Sequence, residues 1–439
     1  MKSFLKIITA ASLTMSSLFA QSGWFLVYNE DSTGLNSVIF PDVNTGYSVG
    51  YKNYIPLLLK TTNAGENWFQ ISTAYSYWEY TFRKAYFLNQ HTGFISVVYS
   101  GDGPPFGFIV KTTNGGNNWF PPNQGVEGAF INNFTFVNSN TGYAVGSGGG
   151  GWYVSSGSKY KTTDGGDNWY VIDNDGNTTN SNLSVYFLNE ITGYITRYFK
   201  GTQFSPNILK TTDSGTSWVE LLPYGWLRLL KSVYFLDENT GIACGNGIIM
   251  TTTGGNDWFK VEESSGLNII KFVSSSAVIC VGDSNRILKS PDGGNTWYSQ
   301  VSPVEINYSD CFFTNENTGY IVGNNTNDAF ILKTTTGGEN LVGNGSISNR
   351  ILSSYRLFQN YPNPFNPVTL INYKIPEQNY VKLTVYNVIG KEIVTLVNEV
   401  KQAGNYEATF DGTDLPSGVY FCTLKAGEFT ETKKMLMIK

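Results

Sequence analysis

The sequence predicts an all-β protein: a seven-bladed β-propeller followed by a small Ig-like antiparallel β-sandwich. Three observations predict it. The chain is rich in aromatics (15%) and glycine (47 residues) but poor in charge (14%), a balance that suits many short strands joined by tight turns. A nine-residue frame recurs seven times along the first three quarters of the chain. After about residue 360 the repeat stops and a different alternating pattern takes over.

The first twenty residues stand apart from both units. Lys2 and Lys6 open a stretch that is apolar from Ile7 to about Phe19 and ends on the small Ala20. A positive start, an apolar middle and a small residue before Gln21 are the order of a secretory signal peptide cleaved between Ala20 and Gln21. No later stretch approaches the ~20 apolar residues needed to span a bilayer, so no transmembrane segment is expected in the mature protein. The net charge of −5, without a basic run, argues against a nucleic-acid partner.

The repeated frame is first seen at Lys60–Trp68 and returns ending at Trp119, Trp169, Trp218, Trp258 and Trp297, with Leu341 in the seventh copy. Each frame follows an apolar strand, a polar turn and a second apolar strand, as in Phe40–Gly50, Phe136–Gly146, Phe235–Gly245 and Phe313–Gly323. Four short antiparallel strands per ~40–50 residues make a propeller blade. All seven frames keep a glycine three residues before the tryptophan position: Gly65, Gly116, Gly166, Gly215, Gly255, Gly294 and Gly338. A hairpin turn with positive φ explains it. Two residues earlier stand Asn63, Asn114, Asp164, Asp213, Thr253, Asp292 and Thr336, side chains able to bond their own turn. A catalytic carboxylate would not be exchangeable with threonine, so the frames read as structural. The tryptophans and the recurring phenylalanines Phe40, Phe87, Phe136, Phe187, Phe235, Phe272 and Phe313 read as core packed between blades.

The seventh frame has no outer strand after it, whereas the mature chain begins Gly23-Trp24-Phe25-Leu26-Val27, like the strands that follow the other frames. Trp24 to Tyr28 is therefore expected to complete the seventh blade and close the ring. The chain divides into a signal peptide (1–20), a propeller (21–343), a linker (344–355) and a C-terminal domain (356–439).

The frame resembles the Asp-box (BNR) repeat of the sialidase-like families, and Ser290-Pro291-Asp292-Gly293-Gly294-Asn295-Thr296-Trp297 carries the full pattern. Together with the Gly-Tyr-x-Val-Gly strands it is most similar to propellers of the photosystem II assembly factor type. The tail resembles the type A sorting domain of the type IX secretion system. The matching segments are Tyr361–Pro367, Val385-Tyr386-Asn387-Val388-Ile389-Gly390, Ala403-Gly404-Asn405-Tyr406, Ser417-Gly418-Val419-Tyr420 and Lys433–Lys439. That resemblance implies handling by the type IX machinery, passage through the periplasm to the outer-membrane surface or the medium, and removal of the tail within or near the linker.

Little in the sequence points to chemistry. His91 is the only histidine and occupies a turn position held elsewhere by Asn44, Asn140, Asn239 and Asn317. Cys244, Cys280, Cys311 and Cys422 lack zinc spacing and read as buried apolar residues. Asp173-Asn174-Asp175-Gly176 lacks the rest of a calcium loop and reads as a solvated turn. No cofactor, metal site or catalytic residue is expected. A non-catalytic monomer that binds a protein or polysaccharide is the leading expectation, and a secreted glycoside hydrolase or lyase is the alternative.

Repeat length shows where a ligand would sit. Tryptophan positions are 51, 50 and 49 residues apart up to Trp218, then 40, 39 and 44. The extra residues fall mostly in loops between second and third strands. Those loops share a face with the blade-linking segments. Aromatics outside the repeat gather in both: Tyr77, Trp78, Phe106, Trp152, Tyr153, Tyr224 and Trp226 are the candidate ligand-binding residues, in blades 2 to 5.

Overall fold

A computed structural model of the chain describes residues 23–75, 77–99, 101, 106–123, 129–148, 157–173, 180–199, 205–222, 229–339, 355–360, 363–402 and 404–439. The signal peptide with Ala20 and Gln21, and 344–354 of the linker, lie outside the described residues.

The repeats fold into seven antiparallel blades, of which blades 3 and 4 are joined into one eight-stranded sheet where Ser147 pairs with Ser181. Blade 1 consists of Thr33–Ile39, Gly46–Lys52, Ile55–Thr61 and Phe69–Gln70. The inner strands of blades 2 to 7 are Tyr80–Phe87, Ala129–Phe136, Asn180–Phe187, Leu230–Phe235, Leu267–Phe272 and Asn307–Phe313. Blade 2 departs from the four-strand expectation. Its outer strand is reduced to one bridge, between Lys111 and Phe120. Blade 7 is completed from the N-terminus: Gly23–Asp31 runs antiparallel to Asp328–Gly338, from Gly23 opposite Gly338 to Asp31 opposite Asp328. The closing strand is thus longer than the Trp24–Tyr28 read from the repeat, because its partner continues upward beyond the frame. Trp24 is fully buried, donates its indole N–H to Gln300 Oε1 at 2.8 Å, and meets Phe313 edge-on at 5.9 Å. Trp68, Trp119, Trp169, Trp218 and Trp258 meet Phe40, Phe87, Phe136, Phe187 and Phe235 edge-on in the same way. Trp24 therefore fills in blade 7 the place that the sister frames fill with their own tryptophans.

The frame turn is built from local chemistry. In every copy a hydroxyl at the third-strand end accepts the N–H of the invariant glycine: Thr61, Thr112, Thr162, Thr211, Thr251, Ser290 and Thr334, at 2.8–3.0 Å. Asn63, Asn114, Asp164, Asp213, Thr253 and Asp292 accept the N–H four residues on. Positive φ does not by itself account for the glycine. The preceding residue is also left-handed, and there Ala64 (φ 56°) and Ser214 (φ 61°) are tolerated. The difference is space. A Cβ on Gly65 would lie 2.5 Å from the Tyr320 ring, and one on Gly166 2.6 Å from the Phe94 ring.

Those rings belong to the preceding blade, and they lock the ring together. Tyr47, Phe94, Tyr143, Tyr194 and Tyr320 each stack on the inner phenylalanine of the next blade, at 3.5–4.4 Å. The hydroxyls of Tyr47, Tyr143, Tyr194 and Tyr320 donate to frame carbonyls there: Gly115, Ser214, Gly254 and Ala64. The Tyr320 contacts join blade 7 to blade 1 across the closure.

The C-terminal domain packs two sheets face to face. One contains Arg356–Leu357, Val368–Ile375 and Gly404–Asp411. The other orders Glu392–Lys401, Asn379–Asn387, Gly418–Ala426 and Phe429–Met437. Val381, Leu383 and Val385 point into its core with Ile371, Tyr373, Phe410 and Met435. Tyr355, placed in the linker from sequence, stacks on Phe429 at 5.4 Å and stands with the sandwich. Arg356 donates to the carbonyls of Val261, at 3.0 Å, and Lys260 on blade 5's outer strand. No helix of the described residues is long and apolar enough to cross a membrane.

Candidate functional site

The lower face of the ring carries the frame turns; the upper face carries the blade-linking segments and the loops between second and third strands. Three of the seven candidate residues are described, and all three belong to the upper edge of blade 2. Tyr77 and Trp78 are each 64% exposed in a turn closed by the Tyr80 N–H on the Tyr77 carbonyl. Phe106 is 42% exposed at the start of the third strand. Trp152, Tyr153, Tyr224 and Trp226 lie outside the described residues.

A cross-strand ladder connects the exposed positions. Tyr80 is paired with Tyr99, and Tyr99 with Phe106. Directly opposed residues share a face of the sheet, and the rings follow one another at 5.2 and 5.0 Å. Phe108 and Tyr75 join them on the same face, with Tyr75 5.4 Å from Tyr80 and 5.6 Å from Phe108. Tyr75, Tyr80, Tyr99 and Phe108 are half-buried, and Phe106 is the exposed end of this ring cluster. Tyr75, Tyr80 and Tyr99 were not singled out in the sequence. The pairing of three strands brings them together, although the aromatic spacing in Tyr75–Tyr80 was visible.

Arg83 stands three residues beyond Tyr80 and contacts the Phe130 ring of blade 3 at 5.9 Å. Solvent reaches it, yet protein surrounds it closely enough that burial lowers its pKa. Among the described residues no carboxylate lies within ion-pair distance of it.

Deeper in the ring, Asp310 of blade 7 is buried and binds groups from three other blades. Ser37 Oγ donates to it at 2.8 Å, Lys84 Nζ lies at 2.7 Å and Lys271 Nζ at 3.2 Å. Burial pushes the carboxyl up, but Lys271 and Lys84 outweigh it and hold the pKa down at about 2. Asp310 is therefore a permanent anion between two cations. That arrangement suits a structural clasp on either side of the closure and not a group that exchanges protons near neutral pH. On the lower side, Tyr186, Tyr234, Phe272, Ser274 and Ser275 line an open concavity of about 220 Å³.

The frame residues Gly65, Trp68, Gly116, Trp119, Gly166, Trp169, Gly215, Trp218, Gly255, Trp258, Gly294, Trp297 and Gly338 serve the turns and the packing described above. His91 sits exposed in its turn, its N–H on Asn89 Oδ1. Asp173 pairs with Lys159 at 2.6 Å, and 174–176 lie outside the described residues. The four cysteines are buried thiols. Among the described residues no group of three or more His, Cys, Asp or Glu is placed to hold a metal ion.

Fold and frame together define a seven-bladed β-propeller followed by a C-terminal β-sandwich. Residues 359–439 match the family described as the secretion system C-terminal sorting domain, and no curated protein matches the chain. Among solved structures, YCF48 bound to D1 peptide is 18% identical with a TM-score of 0.54, over 72% of this chain and 97% of that one. YCF48 from Cyanidioschyzon merolae is 20% identical with a TM-score of 0.52, over 71% of this chain and 98% of that one. The WD40 β-propeller domain of Doa1 is 10% identical with a TM-score of 0.52, over 71% and 97%. These likenesses show the propeller fold. The type IX sorting domain implies export to the cell surface or the extracellular space.

Proposed function

We propose that this protein is a non-catalytic binding protein working outside the cell, whose propeller holds a protein or polysaccharide on the upper face at blade 2. The observation that carries the reading is the pair Tyr77 and Trp78, both mostly exposed, beside the Tyr80–Tyr99–Phe106 ladder. A domain gains nothing in stability from holding a Trp and a Tyr in water, so adjacent exposed aromatics such as these support a contact site. The non-catalytic part is supported by Asp310, the buried carboxylate at the ring's centre, which is committed to two lysines.

The test is a binding screen of the chain from Gln21 to Lys439 against glycans and secreted proteins, repeated with Trp78→Ala and Phe106→Ala. Both substitutions fall on exposed side chains, so melting temperature should stay within about 2 °C of wild type. Loss of the hits in both variants supports the reading. Hits that survive both place the contact elsewhere. Turnover of any bound glycan by the purified chain would replace binding with hydrolysis.

A further inference from the structure

We propose that blade 2 binds an extended peptide of a partner protein by strand addition, on the outer edge of its third strand at Gly107 and Ile109, with aromatic or β-branched peptide side chains beside Phe106 and Phe108. This deepens the reading above, commits it to a protein partner, and rests on it.

The backbone is the first argument. Lys111 and Phe120 exchange both N–H···O bonds at 2.8 Å, so alternate residues of the third strand, Lys111, Ile109 and Gly107, direct their backbone groups outward. After Phe120 the chain leaves this edge. Pro121 and Pro122 follow, and the Asn123 N–H goes to the Asp167 carbonyl of blade 3 at 2.9 Å. In blades 1, 4 and 6 the carbonyl at the level of Ile109 (Leu58, Ile208 and Ile287) accepts the N–H of Ile71, Leu221 or Gln300 at 2.8–2.9 Å. Blade 2 has Pro122 in the donor's place, and proline has no N–H. At the level of Gly107, blades 1 and 4 carry Pro56 and Pro206, which offer no donor. Blades 5 and 6 carry Asn246 and Asn285, whose N–H groups go to the Leu229 and Ile306 carbonyls. Among the described residues nothing accepts the Gly107 N–H or donates to the Ile109 carbonyl. Both residues are buried, so water offsets little of what is missing, and an added strand would supply it.

The fold already uses such an addition. In blade 7 the corresponding residues, Ala329 and Ile331, pair with Glu30 and Tyr28 of a strand that arrives from the other end of the chain. A third-strand edge of this propeller therefore accepts a separate strand at these two levels. In blade 2, peptide residues opposite Phe106 and Phe108 would share the face on which those two rings lie 6.0 Å apart, beside Tyr99 and Tyr75. Gly107 has no side chain on the other face, which leaves room there for a large one.

The edge also sets the kind of partner. The stretch from Phe106 to Ile109 spans roughly 13 Å at about 3.3 Å per residue. A second copy of the chain would find too little edge there for the ~800 Å² per partner of a stable dimer. A short extended segment is held mainly by main-chain bonds, with pockets for alternate side chains. A polysaccharide has no amides at strand spacing to meet an N–H and a carbonyl two residues apart. Phe106 and Phe120, 42% and 57% exposed, bracket the stretch and give it an apolar rim.

The experiment pans a phage-displayed library of random dodecapeptides on the chain from Gln21 to Lys439 and measures the best synthetic peptide by fluorescence anisotropy. Selected peptides are expected to carry aromatic or β-branched residues at alternate positions. Two forms of the peptide, N-methylated at one or the other set of alternate amides, should differ: one loses binding and the other keeps most of it, because only one set faces the edge. Gly107→Pro removes the donor and should weaken binding about tenfold or more. Blades 1 and 4 hold proline at this level, so its melting temperature should stay within about 2 °C of wild type. Should that variant fold poorly, the two methylated peptides decide the matter on the wild-type chain. No selected peptide, equal binding of both methylated forms, or full binding by a folded Gly107→Pro overturns strand addition. If glycan or protein hits of the wider screen depend on Trp78 but not on Gly107, strand addition fails and the upper-face reading stands. A wild-type dimer in sedimentation velocity that Gly107→Pro makes monomeric gives the edge to a second copy and overturns the peptide. If neither Trp78→Ala nor Gly107→Pro alters any hit, both readings fall.

Discussion

Replacing Trp24 by alanine removes the residue on which the proposed closure turns. The side chain is fully buried, lies edge-on to Phe313 at 5.9 Å, and bonds Gln300 Oε1 at 2.8 Å. Truncating a buried Trp destabilises by about 3–5 kcal/mol, through lost transfer free energy and the cavity left behind. At ~2 °C per kcal/mol, the lower end of the range for a domain this large, the melting temperature should fall by about 6–10 °C. Trp258→Ala is the control. It removes the same edge-on contact, with Phe235, inside a blade built from continuous chain. Both variants should lose similar stability, but only Trp24→Ala should loosen the ladder between Gly23–Asp31 and Asp328–Gly338. Hydrogen exchange followed by mass spectrometry reads this directly, as faster exchange in both segments relative to blades 3 and 4. A melting temperature within about 2 °C of wild type, or ladder exchange no faster than in Trp258→Ala, would refute the view that the N-terminal tryptophan clasps the ring.

Further outcomes follow from the turns and the buried charges. Gly65→Ala adds a Cβ 2.5 Å from the Tyr320 ring at a φ of +73° and should cost about 2–4 kcal/mol in chemical denaturation, while Ala64→Gly next to it should not destabilise. Thr251→Val removes the oxygen that accepts the Gly255 N–H at 2.9 Å and should cost about 1–2 kcal/mol by the same measurement. Asp310→Asn leaves Lys84 and Lys271 without their shared counter-charge and should cost about 3–5 kcal/mol at neutral pH. The Asp310 carboxyl titrates at about 2 in the folded protein, below the ~3.9 of an unfolded chain, so the unfolded state binds the proton first. Its contribution is full above about pH 4 and is lost as pH falls toward 2, and acid titration of Asp310→Asn should lack that part of the loss.

The repeat was legible because its chemistry is local. Each frame turn is made by residues within four positions of one another, such as Thr61, Asn63, Gly65 and Asn67. Those residue types recur wherever the turn recurs. The core was legible for a similar reason, since alternation assigns Phe40, Phe87 and Val381 to the inside before any partner is known. In the sandwich, the strand Val368–Ile375 is not legible by alternation, because it follows the proline-rich 361–367 segment and its pattern is mixed. Of the candidate site, the exposed aromatics Tyr77, Trp78 and Phe106 were visible as departures from the repeat. Their ring neighbours Tyr75, Tyr80 and Tyr99 were not.

The chain alone determined seven repeats, the glycine turns, the N-terminal strand as the missing outer strand of the seventh blade, and the export tail, since each is written in contiguous residues. Only the tertiary structure decided that Lys84 meets Asp310 from 226 positions away, that Arg83 lies on Phe130 of the next blade, and that Tyr80, Tyr99 and Phe106 form one surface. The physical reason is that ring closure sets which side chains from different blades face one another, and these contacts follow no local periodicity.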